Sequence, residues 1–125
     1  MPVARISGFE FHYSITDDYA IVRPETPCHE EGTTALASLV NSELIESKNL
    51  IIDLSHTNYV ETPGYRWILR QMKILESEGR KLVVVNLPES VQRAFKLLKL
   101  DNVIPCAKSV DEAFEIINDK NLAYA

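Results

Sequence analysis

Residues 49–65, NLIIDLSHTNYVETPGY, decide the fold. The run Leu50–Ile52 would be apolar on both faces of a strand, which is typical of a central strand in a parallel sheet, because helices cover both of its sides. The stretch ends in Thr62-Pro63-Gly64, and proline is favoured at the first position of a helix. It therefore predicts a buried strand, a loop and the beginning of a helix.

A second apolar run lies in KLVVVNL, residues 81–87. We predict that Leu82–Val85 forms another buried strand, parallel and adjacent to the first. A helix of about 63–78 connects the two, because its apolar residues recur at helical spacing. Gly79 is a plausible end for that helix. The residues of its apolar stripe are Tyr65, Ile68, Leu69, Met72 and Leu75.

The N-terminal third alternates between apolar and polar residues from Phe9 to Ile15, as in a half-exposed strand toward an edge of the sheet. Asp17-Asp18 reads as a turn, and YAIVRPE, residues 19–25, as the second strand of a hairpin. Pro24 should end that strand or lie at its edge, because it cannot donate a ladder hydrogen bond.

The remaining elements complete an alternating order of strands and helices. One helix is predicted from about Thr33 to Ser47. A second covers ESVQRAFKLLKL, with Val91, Phe95 and Leu98 buried, and a third covers SVDEAFEII, with Ser109 as N-cap. NVIPC is predicted to be a short strand. The order ββαβαβαβα predicts an α/β fold, with a mixed, mainly parallel sheet of about five strands and about four helices. We expect a single domain over residues 1–125, with its core at about 9–118.

Composition argues against several classes of function. The 125 residues are 46% hydrophobic and carry a formal charge of -5, which disfavours nucleic-acid binding. No apolar run approaches the ~20 residues of a membrane helix, and no signal-peptide pattern precedes the first strand. Cys28 and Cys106 are isolated, and no His/Cys cluster has ligand spacing, so we expect a cytoplasmic protein with reduced thiols, no metal and no cofactor.

The segment from Glu61 to Gly64 allows two interpretations. Thr62 can be a simple N-cap whose hydroxyl accepts a backbone N–H, with Pro63 in the first turn and Glu61 beside the positive end of the helix. The same geometry would also hold a phosphate on the hydroxyl. Gly64 suggests that another part of the chain comes close to the backbone there.

DLSHTNYVETPGYRWIL, residues 53–69, resembles the signature of the STAS domain (sulfate transporter and anti-sigma factor antagonist). In bacterial anti-anti-sigma proteins that signature reads roughly Asp-Phe-Ser-x-Val-x-x-Met-Asp-Ser-Ser-Gly-Leu. The polar and glycine positions are matched by Asp53, Ser55, Glu61, Thr62 and Gly64, and the apolar ones by Leu54, Val60 and Tyr65. Residues 86–117 are similar to the second half of the family, so the resemblance covers about residues 9–118.

The resemblance implies a binding module rather than an enzyme. In the bacterial regulatory branch the domain binds an anti-sigma factor that is also a serine kinase, and phosphorylation of the second serine breaks the complex. That serine is replaced here by Pro63, which has no hydroxyl, while Thr62 keeps a hydroxyl one position early. Either Thr62 is used instead, or the domain is not switched at this point.

The helix after Gly64 carries a second stripe, in which Trp67 lies near Ile74 and three cations. Trp67 is either half-buried against a neighbouring helix or an exposed aromatic anchor, and aromatic and arginine side chains are enriched at interface hot spots. In the resembling family this helix faces the partner. The predicted partner-binding residues are Asp53, Ser55, Glu61, Thr62, Pro63, Gly64, Arg66, Trp67, Arg70 and Ile74.

Other functions stay open. The domain could be an unphosphorylated scaffold subunit of a signalling or lipid-transport assembly, bound to other STAS subunits, and it could form a homodimer. A small enzyme or nucleotide binder would need a deep pocket at Asp53, Ser55 and His56. Without a nucleophile, a phosphate loop or a paired acid, Asp53 is better explained as a brace for the following loop, and the histidines as ordinary surface residues.

Overall fold

The computed structural model describes residues 1–25 and 27–118. The strands are β1 (Val3–Ile6), β2 (Phe9–Ile15), β3 (Tyr19–Pro24), β4 (Asn49–Asp53), β5 (Leu82–Val85) and β6 (Cys106–Ala107). The helices are α1 (Glu30–Val40), α2 (Thr62–Ser77), α3 (Glu89–Leu97) and α4 (Val110–Asn118), with a short 3-10 helix at Leu100–Asn102. This is the predicted α/β fold with one additional strand.

The strands form one mixed sheet in the order β1-β2-β3-β4-β5-β6. The pairs β1/β2 and β2/β3 are antiparallel, and the other three pairs are parallel. The predicted neighbours β4 and β5 are parallel, with Leu50 opposite Leu82 and Ile52 opposite Val84. The predicted hairpin of β2 and β3 is also confirmed, and Pro24 is the last residue of β3.

The additional strand, β1, takes the edge position outside β2. The two strands are joined by Ser7 and Gly8, which both have positive φ (53° and 83°), as the tightest hairpin turns require. A strand of four residues is too short to show a clear alternation, so the apolar pattern did not predict it. The Ser-Gly pair before Phe9 was the available signal.

The helices divide between the two faces of the sheet because of the strand order. The crossovers from β3 to β6 all step in the same direction, and right-handed crossovers then place α1, α2 and α3 on one face. That face holds the main core, whereas α4 covers a smaller cluster on the other face, around Ile51, Val83 and Ala113. Both sides of β4 and β5 are therefore buried, which explains their continuous apolar runs.

Two predicted helix details are wrong. The first helix is Glu30–Val40 rather than 33–47: His29 caps its beginning, since His29 Nδ1 accepts from the Gly32 N–H at 3.0 Å. The chain then turns, but Ile45 still packs in the core, so the apolar pattern continues beyond the helix. Leu98 is 54% exposed, because α3 ends at Leu97.

The C-terminal part otherwise follows the prediction. Val91 and Phe95 are buried, and the Glu112 N–H donates to Ser109 Oγ at 3.1 Å, so Ser109 caps α4 as expected. The predicted strand NVIPC is shorter and later: only Cys106–Ala107 pairs with β5.

Candidate partner-binding site

The loop between β4 and α2 alternates between anchored and exposed residues. Leu54, Thr57 and Val60 are buried. The backbone is held at both ends, because the Leu54 N–H donates to the Val85 carbonyl at 3.1 Å and the Tyr59 carbonyl accepts from the Cys28 N–H at 3.2 Å. The exposed side chains between these anchors are Ser55, His56, Asn58 and Tyr59. The loop therefore presents a defined set of polar groups and one aromatic ring.

Asp53 braces this loop. Its Oδ1 accepts a hydrogen bond from the Ser55 N–H at 2.9 Å and another from Asn86 Nδ2 at 3.3 Å. Asn86 follows β5 in a left-handed conformation, with φ 56°. Since the carboxylate is used to hold two chain segments together, the interpretation as a structural brace is the one that the geometry supports.

The beginning of α2 corrects one prediction: the N-cap is Glu61, not Thr62. The Glu61 carbonyl accepts from the N–H groups of Gly64 (2.9 Å) and Tyr65 (3.2 Å), while its side chain makes no capping bond. Glu61 is held extended because its own N–H donates to the Cys28 carbonyl at 3.1 Å. Thr62 is thus in the first turn and exposed, and its hydroxyl makes no hydrogen bond with any residue that the structure describes.

Gly64 confirms the expected close approach. A Cβ at this position would lie 2.7 Å from Val60 Cγ1, 2.8 Å from the Cys28 carbonyl oxygen and 2.9 Å from Cys28 Cβ. The segment around Cys28 is joined to Val60 by a parallel bridge, and the Cys28 N–H donates to the Tyr59 carbonyl at 3.2 Å. Burial raises the pKa of the Cys28 thiol to about 12. The segment that enters α1 is therefore packed directly against the beginning of α2.

The second stripe of α2, which contains Trp67 and Ile74, is not a fully exposed patch. Trp67 is only 9% exposed and belongs to the main core, and Gln71 is buried as well. The interpretation of Trp67 as an exposed anchor is wrong, because α1 packs against this side of α2. Ile74 is 42% exposed, and the cations beside it, Arg66, Arg70 and Lys73, are also exposed.

A cluster around Glu25 was missed by the sequence reasoning. Glu25, just after β3, accepts from Arg23 Nε at 2.7 Å and is bonded to His56 Nδ1 at 2.5 Å; His12 Nε2 lies 3.6 Å away. Burial would raise the pKa of Glu25, but the hydrogen bonds from His56 and Arg23 outweigh it and lower that pKa. His56 is thus no ordinary loop histidine, since it ties the loop to the hairpin across 31 positions of sequence.

The structure brings the predicted site residues together only in part. Ser55, Glu61, Thr62, Arg66, Arg70 and Ile74 are exposed, Asp53 and Pro63 are half-buried, and Gly64 and Trp67 are buried. Tyr59, which the sequence reasoning left out, is 46% exposed beside them. Neither Asp53 nor His56 lines any of three clefts bordered by described residues; one cleft includes Asn86, the hydrogen-bond partner of Asp53, and another separates α1 from α2. In residues 1–25 and 27–118, no three His, Cys, Asp or Glu side chains are placed to hold a metal ion.

The sequence model of the STAS domain matches residues 12–113. The chain belongs to the STAS domain family. Its fold is similar to a candidate anti-sigma factor antagonist of Thermotoga maritima, with TM-score 0.78 and 24% identity over 86% of this chain and 93% of that one. It is also similar to an anti-sigma factor antagonist of Mycobacterium paratuberculosis, with TM-score 0.74 and 21% identity over 89% of this chain and 95% of that one. A third similar structure is the anti-sigma factor antagonist SpoIIAA in its unphosphorylated form, with TM-score 0.65 and 11% identity over 84% of this chain and 94% of that one.

The match places the loop and α2 well inside the STAS domain. It begins in β2 and ends in α4, so it includes every residue of the candidate site. The strand order of this STAS domain does not reverse between β3 and β6. In open α/β sheets the ligand crevice forms where the order reverses. The cleft of about 520 Å³ at the carboxyl ends of β5 and β6, lined by Asn86, Leu87, Ala107 and Lys108, is therefore not at such a reversal.

Proposed function

We propose that this STAS domain is a regulatory protein-binding domain of the anti-sigma factor antagonist type. It acts in the cytoplasm without catalysis, and binds an anti-sigma factor of the serine-kinase type through the loop at residues 55–61 and the first turns of α2. The observation that carries the proposal is the anchored loop with exposed Tyr59 and Glu61, followed by exposed Thr62 in the first turn of α2, in a chain of this family.

The anchoring of the loop favours binding. Leu54, Thr57 and Val60 are buried, and Asp53 and Glu25 hold the loop through side-chain hydrogen bonds. A loop held in one conformation loses little conformational entropy when a partner binds, so more of its interaction energy remains as affinity. The exposed Tyr59 ring is the type of side chain that is enriched at interface hot spots.

Pro63 removes the serine on which the resembling proteins are switched, and we propose that this domain is not switched there. The neighbouring Thr62 hydroxyl is exposed, but the backbone is poorly prepared for a phosphate. Pro63 has no N–H, and the Gly64 N–H already donates to the Glu61 carbonyl at 2.9 Å. The N-terminus of α2 therefore has fewer free backbone N–H groups to bind a phosphate than the N-terminus of an ordinary helix.

The same proline favours a second candidate function. A domain without the acceptor hydroxyl suits a permanent subunit of a signalling or lipid-transport assembly, which needs no phosphorylation cycle. No helix of the described residues is long and apolar enough to cross a membrane.

Calorimetric titration with the purified anti-sigma factors of the source organism separates the two candidates. Binding should weaken about tenfold or more in Tyr59→Ala, the scale of a hot spot. The matched control is Leu97→Ala, because Leu97 is an exposed apolar side chain on α3. If no anti-sigma factor binds, and tagged protein instead co-purifies with transporter subunits, the scaffold function replaces the first proposal.

Phosphorylation is tested by incubating the protein with the same anti-sigma factor and labelled ATP. Wild-type protein should take up little phosphate, whereas Pro63→Ser should become a substrate and keep that property when Thr62 is changed to Ala. Stoichiometric phosphorylation of Thr62 in the wild type would show that the switch is retained one residue earlier.

A further inference from the structure

A groove of about 480 Å³ separates α1 from α2 beside the candidate site. Its lining residues on α1 are Glu30, Thr33, Thr34 and Ala37, and those on α2 are Pro63, Arg66, Trp67 and Arg70. Pro63 belongs to both the groove and the first turn of α2, so the groove begins two residues after the loop at 55–61.

The first argument for a ligand is the pair of arginines. Arg66 and Arg70 are four residues apart on α2, so they lie on one side of the helix. Neither makes an ion pair or a hydrogen bond with a side chain of the described residues. The other four arginines of the chain, Arg5, Arg23, Arg80 and Arg93, each bond to a glutamate.

The second argument, independent of the first, is Thr33. Thr33 is 6% exposed, and its Oγ1 is buried without a hydrogen-bond partner among the residues that the structure describes. Its neighbour Thr34, also in the groove, donates to the Glu30 carbonyl at 3.0 Å. Buried hydroxyls in folded proteins nearly always have a partner, so the Thr33 hydroxyl is a donor that a ligand oxygen would satisfy.

The remaining walls define the ligand further. Trp67, Ala37 and Pro63 supply an apolar surface, which suits the methylene groups of an acidic side chain. Arginine binds carboxylates with two parallel hydrogen bonds. Glu30 at the rim is exposed, and its charge would oppose a doubly charged phosphate more than a singly charged carboxylate.

We propose that the groove between α1 and α2 binds a glutamate or aspartate side chain of the protein partner, so that an acidic segment of that partner docks on Arg66 and Arg70. This rests on the proposed function for the identity of the partner. The chemistry of the groove is independent of that identity, because it follows from the arginine pair and the Thr33 hydroxyl.

The first test uses a defined probe and ¹⁵N-labelled protein. An acetylated, amidated hexapeptide of alternating glutamate and leucine should shift the Trp67 indole and Arg66 Nε resonances in a saturable manner. The same peptide with glutamine for glutamate should bind at least tenfold more weakly, and inorganic phosphate should not compete. No saturable shift, or equal binding of the glutamine peptide or of phosphate, would overturn the proposal.

Three variants locate the effect. Arg66→Gln and Arg70→Gln should each weaken peptide binding about fivefold or more, whereas Lys73→Gln, which removes a charge from α2 outside the groove, should not. Thr33→Val should weaken binding while raising the thermal midpoint, because it removes a buried hydroxyl that has no partner in the fold. A purely structural threonine would give the opposite shift in the midpoint.

The anti-sigma factor experiment then separates the two proposals. If the peptide binds through both arginines but no anti-sigma factor binds, the acidic-segment inference stands and the proposed function falls. If an anti-sigma factor binds in a Tyr59-dependent manner, and the double variant Arg66→Gln/Arg70→Gln binds it as tightly as the wild type, the inference is wrong and the proposed function stands.

Discussion

Replacement of Gly64 by alanine tests how the beginning of α2 is packed. The added Cβ would meet three atoms at 2.7–2.9 Å: Val60 Cγ1, the Cys28 carbonyl oxygen and Cys28 Cβ. None of them is the far end of a flexible side chain. The carbonyl oxygen is fixed because it accepts the Glu61 N–H at 3.1 Å. Relief therefore requires the backbone of α2 to move away from the Cys28 segment.

Two opposing effects set the magnitude. Alanine is favoured over glycine inside a helix by up to about 1 kcal/mol, and this gain is smaller in the first turn. Overpacking of a well-packed core costs about 1–3 kcal/mol. With three contacts below 3.0 Å, overpacking dominates, and we expect Gly64→Ala to lower the free energy of unfolding by about 1–2 kcal/mol.

Urea denaturation measures this change, with Gly79→Ala as the control. Gly79 has φ +75° and open space around it, so its substitution introduces backbone strain without a clash. The rate at which a thiol reagent labels Cys28 is a second measurement, and it should increase only in Gly64→Ala. A Gly64→Ala protein that is as stable as the wild type, with Cys28 equally protected, would refute the packing argument.

Three further predictions concern neighbouring side chains. Trp67→Ala should lower the free energy of unfolding by about 3–5 kcal/mol in urea denaturation, because Trp67 belongs to the core; a loss below about 1 kcal/mol would mean that the ring is exposed. Thr62→Ala should change it by less than about 0.5 kcal/mol, since Thr62 is exposed and is not the cap; a loss of about 1 kcal/mol would restore the capping role. The pKa of Glu25 is lowered in the folded state, so its stabilisation is present above the usual glutamate pKa of about 4.3 and is lost as the pH falls through the lowered value. Glu25→Gln should therefore be less stable than the wild type at pH 7, and the difference in the free energy of unfolding should shrink as the pH falls from 7 to 3; a difference that stays the same would contradict this linkage.

The parts of the fold that the sequence predicted are those with a strong local pattern. Leu50–Ile52 and Leu82–Val85 were recognisable because strands covered on both faces have continuous apolar runs. Ser109 was recognisable as a cap because its partner, the Glu112 N–H, lies three residues away. Local chemistry of this kind does not depend on the rest of the chain.

The incorrect and missing parts depend on distant neighbours. Trp67 lies on the side of α2 that α1 covers, and helical spacing alone does not show which of two flanks is covered. Thr62 precedes a proline, which usually keeps a residue out of the helix, but the bond from Glu61 to Cys28 moves the cap one residue earlier. The bond between Glu25 and His56 joins residues 31 positions apart, and no local pattern indicates it.

The strand order has a consequence for how the chain is made. Each strand pairs with the strand that comes immediately before it in sequence, so a chain leaving the ribosome can add its strands to the sheet one at a time. The β1–β3 meander needs only short hairpin turns, and each later strand arrives with the helix that covers it. Because loop closure costs more as the intervening chain lengthens, this order lets the earliest-synthesised residues form native pairs while the α4 region is still inside the exit tunnel.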